Sequence, residues 1–79
     1  MASEAEILEE GRRVRRLQIV VNLVMNALWQ SDVAVEEAAE LVANTRCLAL
    51  RLFPGKELAY DLIYGAKFKR LMAEKYRVV

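Results

Sequence analysis

The sequence predicts an all-α fold: a small bundle of three helices, or four if the chain breaks near Gly65, with short antiparallel connections. Apolar residues recur at alternating steps of three and four along most of the chain, the spacing that lays one stripe along one side of a helix. Three glycines and one proline leave few places to interrupt such a helix. Hydrophobic residues make up 56% of the chain against 29% charged, which is enough for a core and far from the composition of a disordered segment. At 79 residues, with no internal repeat and no linker-like stretch, the chain reads as one helical domain, residues 1–79.

Helix 1 opens at a capping box, Ser3 followed by Glu6, in which each side chain answers a free backbone N–H at the helix start. Its stripe is Ile7, Val14, Leu17, Val21, Val24 and Leu28. Gly11 weakens the first turns by roughly 1 kcal/mol against alanine, so order is expected to begin later. Around Gln30-Ser31-Asp32 the polarity rises and two good N-cap types appear, which predicts a short connection into helix 2.

Helix 2 carries Glu36 and Glu37 in its early turns, where negative charge suits the helix dipole, and its stripe is Val35, Ala38, Val42, Thr45, Ala49 and Leu52. It is expected to stop at Phe53, because Pro54 disfavours helical geometry in the residue before it and Gly55 readily turns left-handed. Lys56 and Glu57 open a third segment, whose apolar residues fall into two sets: Leu58, Leu62 and Ile63, then Phe68, Leu71 and Met72. At ~100° per residue the two sets share no clean stripe, which predicts a bend or break near Tyr64-Gly65.

Function is constrained mainly by what the chain lacks. There is no histidine and only one cysteine, Cys47, so neither an intrachain disulfide nor the usual zinc sets can be assembled. A Ser or Cys nucleophile would have no imidazole base, and Gly11, Gly55 and Gly65 are too scattered to cradle a phosphate. Glu36 and Glu40, one turn apart, read as a solvated helix face, and Cys47 reads as a small packing residue. The expectation is a non-enzymatic chain with no catalytic residue, no cofactor and no metal.

Leu17 to Trp29 is the most apolar stretch, but Gln18, Asn22 and Asn26 interrupt it and it falls short of the ~20 residues a membrane span needs. Glu4, Glu6, Glu9 and Glu10 stand where a secretory signal would be basic and then apolar. With a lone cysteine, this predicts a cytoplasmic protein with no membrane partner.

Two surface features remain. On helix 1, Ile19, Val20, Leu23, Met25, Ala27 and Trp29 extend the apolar surface well beyond the stripe, and a helix apolar nearly all round is usually covered on several sides. This predicts a homo-oligomer, a dimer above all, formed through Leu17, Val21, Val24, Leu28 and Trp29, and hence a protein-interaction or structural module. The alternative is a nucleic-acid-binding accessory protein. It would use the basic clusters at 12–16 (Arg12, Arg13, Arg15, Arg16) and 67–70 (Lys67, Lys69, Arg70), with Lys75 and Arg77 nearby, because a local patch can hold phosphates although the net charge is only +1. Against this, Glu9 and Glu10 stand three or four residues before Arg12 and Arg13, where intrahelical pairing is the ordinary outcome.

Overall fold

The computed structural model describes residues 3–77, and these form an up-down-up helical arrangement. Helix α1 runs from Glu4 to Gln30. Ser3 caps it as the sequence predicts, its side-chain oxygen accepting from the Glu6 backbone N–H at 3.2 Å. The helix passes through Gly11 without interruption, because 27 residues of continuous backbone hydrogen bonding outweigh one weak helix former.

Ser31 and Asp32 do not start the second helix. Ser31 is still bonded to α1, its N–H donating to the Ala27 carbonyl at 2.9 Å, and so it closes the first helix instead. Helix α2 spans Val35–Leu52, with Ala34 in the N-cap position and no side-chain cap. Phe53 ends α2 as expected, and Gly55 takes the left-handed conformation with φ +79°, which lets the chain reverse after Pro54.

The third segment corrects the expected break. Helix α3 (Glu57–Tyr60) runs into a π-helical turn, Asp61–Gly65, and on into helix α4 (Ala66–Lys75), with Gly65 itself helical at φ −59°, ψ −41°. An uninterrupted α-helix, at ~100° per residue, would set Phe68 ~80° away from Tyr60 around the axis. A π turn accommodates one extra residue, which takes back roughly 100° and leaves the two within ~20° of one another. Tyr60, Phe68 and Leu71 consequently form one buried row. The expected first set is displaced by the same correction: Leu58, Leu62 and Ile63 point outward, Leu58 with 73% of its surface open.

The core is therefore built from Leu17, Val21 and Leu28 of α1, Ala38, Thr45 and Ala49 of α2, and Tyr60, Phe68 and Leu71 of the third segment. Helix α2 contributes only small buried residues, which lets its neighbours approach closely but offers them little apolar surface. Thr45 is accommodated because its hydroxyl donates to the Leu41 carbonyl at 2.8 Å.

Polar clamps hold the two ends. Arg46 of α2 grips Asp61 at the start of the π turn through two hydrogen bonds, Nε to Oδ1 at 2.8 Å and Nη2 to Oδ2 at 3.1 Å. At the opposite end, Lys75 Nζ donates to the carbonyls of Leu28 and Ser31, the latter at 2.6 Å, and the Tyr76 hydroxyl donates to the Val33 carbonyl at 2.6 Å. Helix α1 has no basic residue in its own last turn, so the ammonium that complements its dipole comes from α4.

The result is long and thin. Its extents are 51 × 22 × 16 Å and its radius of gyration is 14.3 Å, against ~12 Å for a compact chain of this length. Helix α1, about 40 Å long at ~1.5 Å per residue, outruns α2 by roughly 13 Å. Residues 4–16 are exposed throughout.

Candidate self-association surface on the first helix

The five residues expected to meet a second copy divide between two environments. Leu17, Val21 and Leu28 are buried by the chain's own helices, with 6%, 2% and 0% of their surface open. Val24 is half-buried against the same core, and only Trp29 stands in the open, 51% exposed. From Leu17 onward the regular stripe is thus the inward face of the bundle; α2 and the third segment cover it, so Leu17, Val21 and Leu28 do not line an outer surface. Periodicity marks a face that seeks cover but does not say whether the cover is the same chain or another.

What one copy leaves open on α1 is the first part of the stripe, Ile7 and Val14, together with Leu8, Ile19, Leu23 and Trp29. Leu8 and Leu23 keep about two thirds of their surface in water, at 65% and 63%. At ~100° per residue Ile19 and Leu23 lie nearly opposite the buried stripe, whereas Ile7 and Val14 lie beside it. Leu8 lies off the stripe, and sequence patterning gave no reason to single it out.

Beside Val14 the bundle is incompletely closed. A crevice of about 380 Å³ opens between α1, the end of α2 and the third segment, its walls including Val14, Leu17, Leu50, Phe53, Ile63 and Tyr64. Tyr60 also borders it, and among the described residues the Tyr60 hydroxyl is the buried side-chain polar atom without a hydrogen-bond partner. Burial, helped by the neighbouring Asp61 carboxylate, pushes its pKa above the ordinary tyrosine value. Lys56 is the charged side chain at the crevice wall. No pattern along the chain announces this opening, because it depends on how three helices end relative to one another.

The basic residues are placed as follows. Arg12, Arg13, Arg15 and Arg16 are all exposed, and Arg13 Nε lies 3.9 Å from Glu9 Oε1, a loose contact between two half-open side chains. Lys67 lies over the Tyr64 ring, 5.8 Å from its centroid, while Lys69 and Arg70 are exposed. Lys75, grouped with them on sequence, is committed to the end of α1 and is not part of an outer patch. Glu36, Glu40 and Cys47 are exposed, so Cys47 is not the packing residue expected.

Comparison with protein-family models, with curated proteins and with solved structures finds no match. Among the described residues, no helix is long and apolar enough to cross a membrane.

Proposed function

We propose that this chain is a small interaction or structural module that self-associates through α1. The observation that carries the reading is the large apolar surface α1 retains after the chain's own helices have taken Leu17, Val21 and Leu28: Ile7, Leu8, Ile19, Leu23 and Trp29 all remain at least half open. A helical stretch shorter than about 12–15 residues is marginal in water without tertiary cover, and residues 4–16 have only exposed side chains. A second copy would supply cover to that stretch, and the slender bundle would gain the apolar burial that so short a chain needs.

The test is the mass in solution. Light scattering across a concentration series is expected to show a rise toward twice the chain mass of 9.0 kDa. The triple variant Ile7→Glu, Val14→Glu, Leu23→Glu, which touches only exposed positions on both open sides of α1, is expected to stay at the single-chain mass with its helical circular dichroism intact. A single-chain mass for the unmodified protein at every concentration overturns self-association. A dimer that survives the triple variant moves the contact away from α1.

A further inference from the structure

We infer that two copies pair through the first halves of their α1 helices, running antiparallel, with Gly11 of each copy on the two-fold axis. This geometry rests on self-association through α1 and goes further by naming the segment, its direction and its centre.

Charge along α1 is sorted by position. Glu4, Glu6, Glu9 and Glu10 precede Gly11, and Arg12, Arg13, Arg15 and Arg16 follow it. All eight side chains are exposed, and among the described residues the segment's own ion pairing amounts to the loose Glu9–Arg13 contact. A parallel second copy in register would set glutamates against glutamates and arginines against arginines. An antiparallel copy centred on Gly11 sets the acidic half of each helix along the basic half of the other, twice by symmetry.

The side chains at the centre suit this approach. Ile7, Gly11, Val14 and Gln18 recur at steps of four, three and four, the spacing of a seam between two helices. At ~100° per residue Glu4 and Arg15 fall within about 20° of one another on one edge of that seam. A two-fold axis perpendicular to the helices joins like edges, so Glu4 of each copy runs beside Arg15 of the other. A Cβ added to Gly11 would meet nothing within 4 Å, so the isolated chain does not need a glycine there, yet a helix-interior glycine is unfavourable. A close approach of two backbones supplies the reason for its absence of a side chain.

The same register accounts for the crevice. With Gly11 on the axis, Ile7 of one copy lies within one position of the level of Val14 of the second. Val14 forms part of the crevice wall, and Ile7, within about 20° of Val14 around the helix, is the exposed aliphatic side chain that the second copy brings to an opening lined by Leu17, Phe53, Ile63 and Tyr64.

Three sets of variants test the arrangement by light scattering, with circular dichroism as the control for folding. Gly11→Trp fits the isolated chain but not a close helix pair, so it is expected to weaken the dimer at least tenfold while leaving the helix content unchanged. Reversing the four glutamates to arginine, or separately the four arginines to glutamate, is expected to give single chains. Mixing the two reversed proteins is expected to restore a dimer that 1 M salt weakens. Direction is read in a Cys47→Ser background by mixing Glu4→Cys and Gln18→Cys chains under oxidation. A mixed disulfide is expected, and a disulfide between Glu4→Cys chains alone overturns the antiparallel order. If the unmodified protein dimerises but neither Gly11→Trp nor the charge reversals change its mass, the Gly11-centred pairing is wrong and self-association stands. If the unmodified protein is a single chain, both fall.

Discussion

Tyr60 shows how one side chain can be right in shape and wrong in polarity. Its ring is needed in the buried row with Phe68 and Leu71, and it meets Tyr64 at a centroid distance of 5.7 Å, a tilted contact between two aromatic faces. Its hydroxyl is carried inward with the ring and finds no partner. An unmatched buried hydroxyl opposes folding by about 1–3 kcal/mol, whereas the ring alone does not. Tyr60→Phe is therefore expected to leave stability unchanged or raise it by about 1 kcal/mol in urea denaturation. A loss of more than that would mean the hydroxyl is bonded in solution. Lys75 is the contrasting case, because the sequence groups it with surface cations while its ammonium is committed to carbonyls 44 and 47 residues earlier in the chain.

At the scale of elements, the π turn is the device that makes the third segment usable. The two apolar sets are out of phase in any regular helix, and only the extra residue aligns Tyr60 with Phe68. Arg46 pins the turn from α2, and its hydrogen bonds hold the Asp61 carboxyl below its ordinary pKa, with the positive charge adding to the effect and partial desolvation opposing it. A group whose pKa is depressed by folding stabilises the fold above its unfolded pKa, near 3.9 for aspartate, and loses that contribution as pH falls through the lowered value. The gap in melting temperature between the unmodified protein and Asp61→Asn is expected to be present at pH 6 and to close as the pH is lowered below about 4. A gap independent of pH would show that the carboxylate charge is not what holds the turn. The helices, the Ser3 cap and the Pro54-Gly55 turn were legible in the chain because each is fixed by neighbours within a few residues. The π turn and the start of α2 were not, since both depend on which phase packs and which carbonyl a given N–H reaches.

Considered whole, the molecule is a bundle with one overlong member. The length of α1 and its apolar girth can be read from the sequence, and so can the sorting of its charges. The division of its apolar residues between core and outer surface cannot, because Leu17 and Leu23 differ only in which side the rest of the chain happens to cover. The uncovered half of α1 sets an expectation for exchange of backbone hydrogen. At concentrations where single chains dominate, amides of residues 7–13 should exchange fast, and raising the concentration into the dimer range should slow them at least tenfold, while amides around Val21 and Phe68 change little. Equal exchange at both concentrations would show that this segment gains nothing from association.

The clamp made by Lys75 and Tyr76 also bears on the timing of synthesis. As the polypeptide leaves the ribosome, α1 and α2 emerge first, but the donors for the Leu28, Ser31 and Val33 carbonyls are made more than forty residues later. Until the turn that carries Lys75 and Tyr76 is out, the nascent hairpin has an unsealed top, its Leu28, Ser31 and Val33 carbonyls still without those donors. Closure of the described bundle accordingly waits for α4, even though most of its contacts are local.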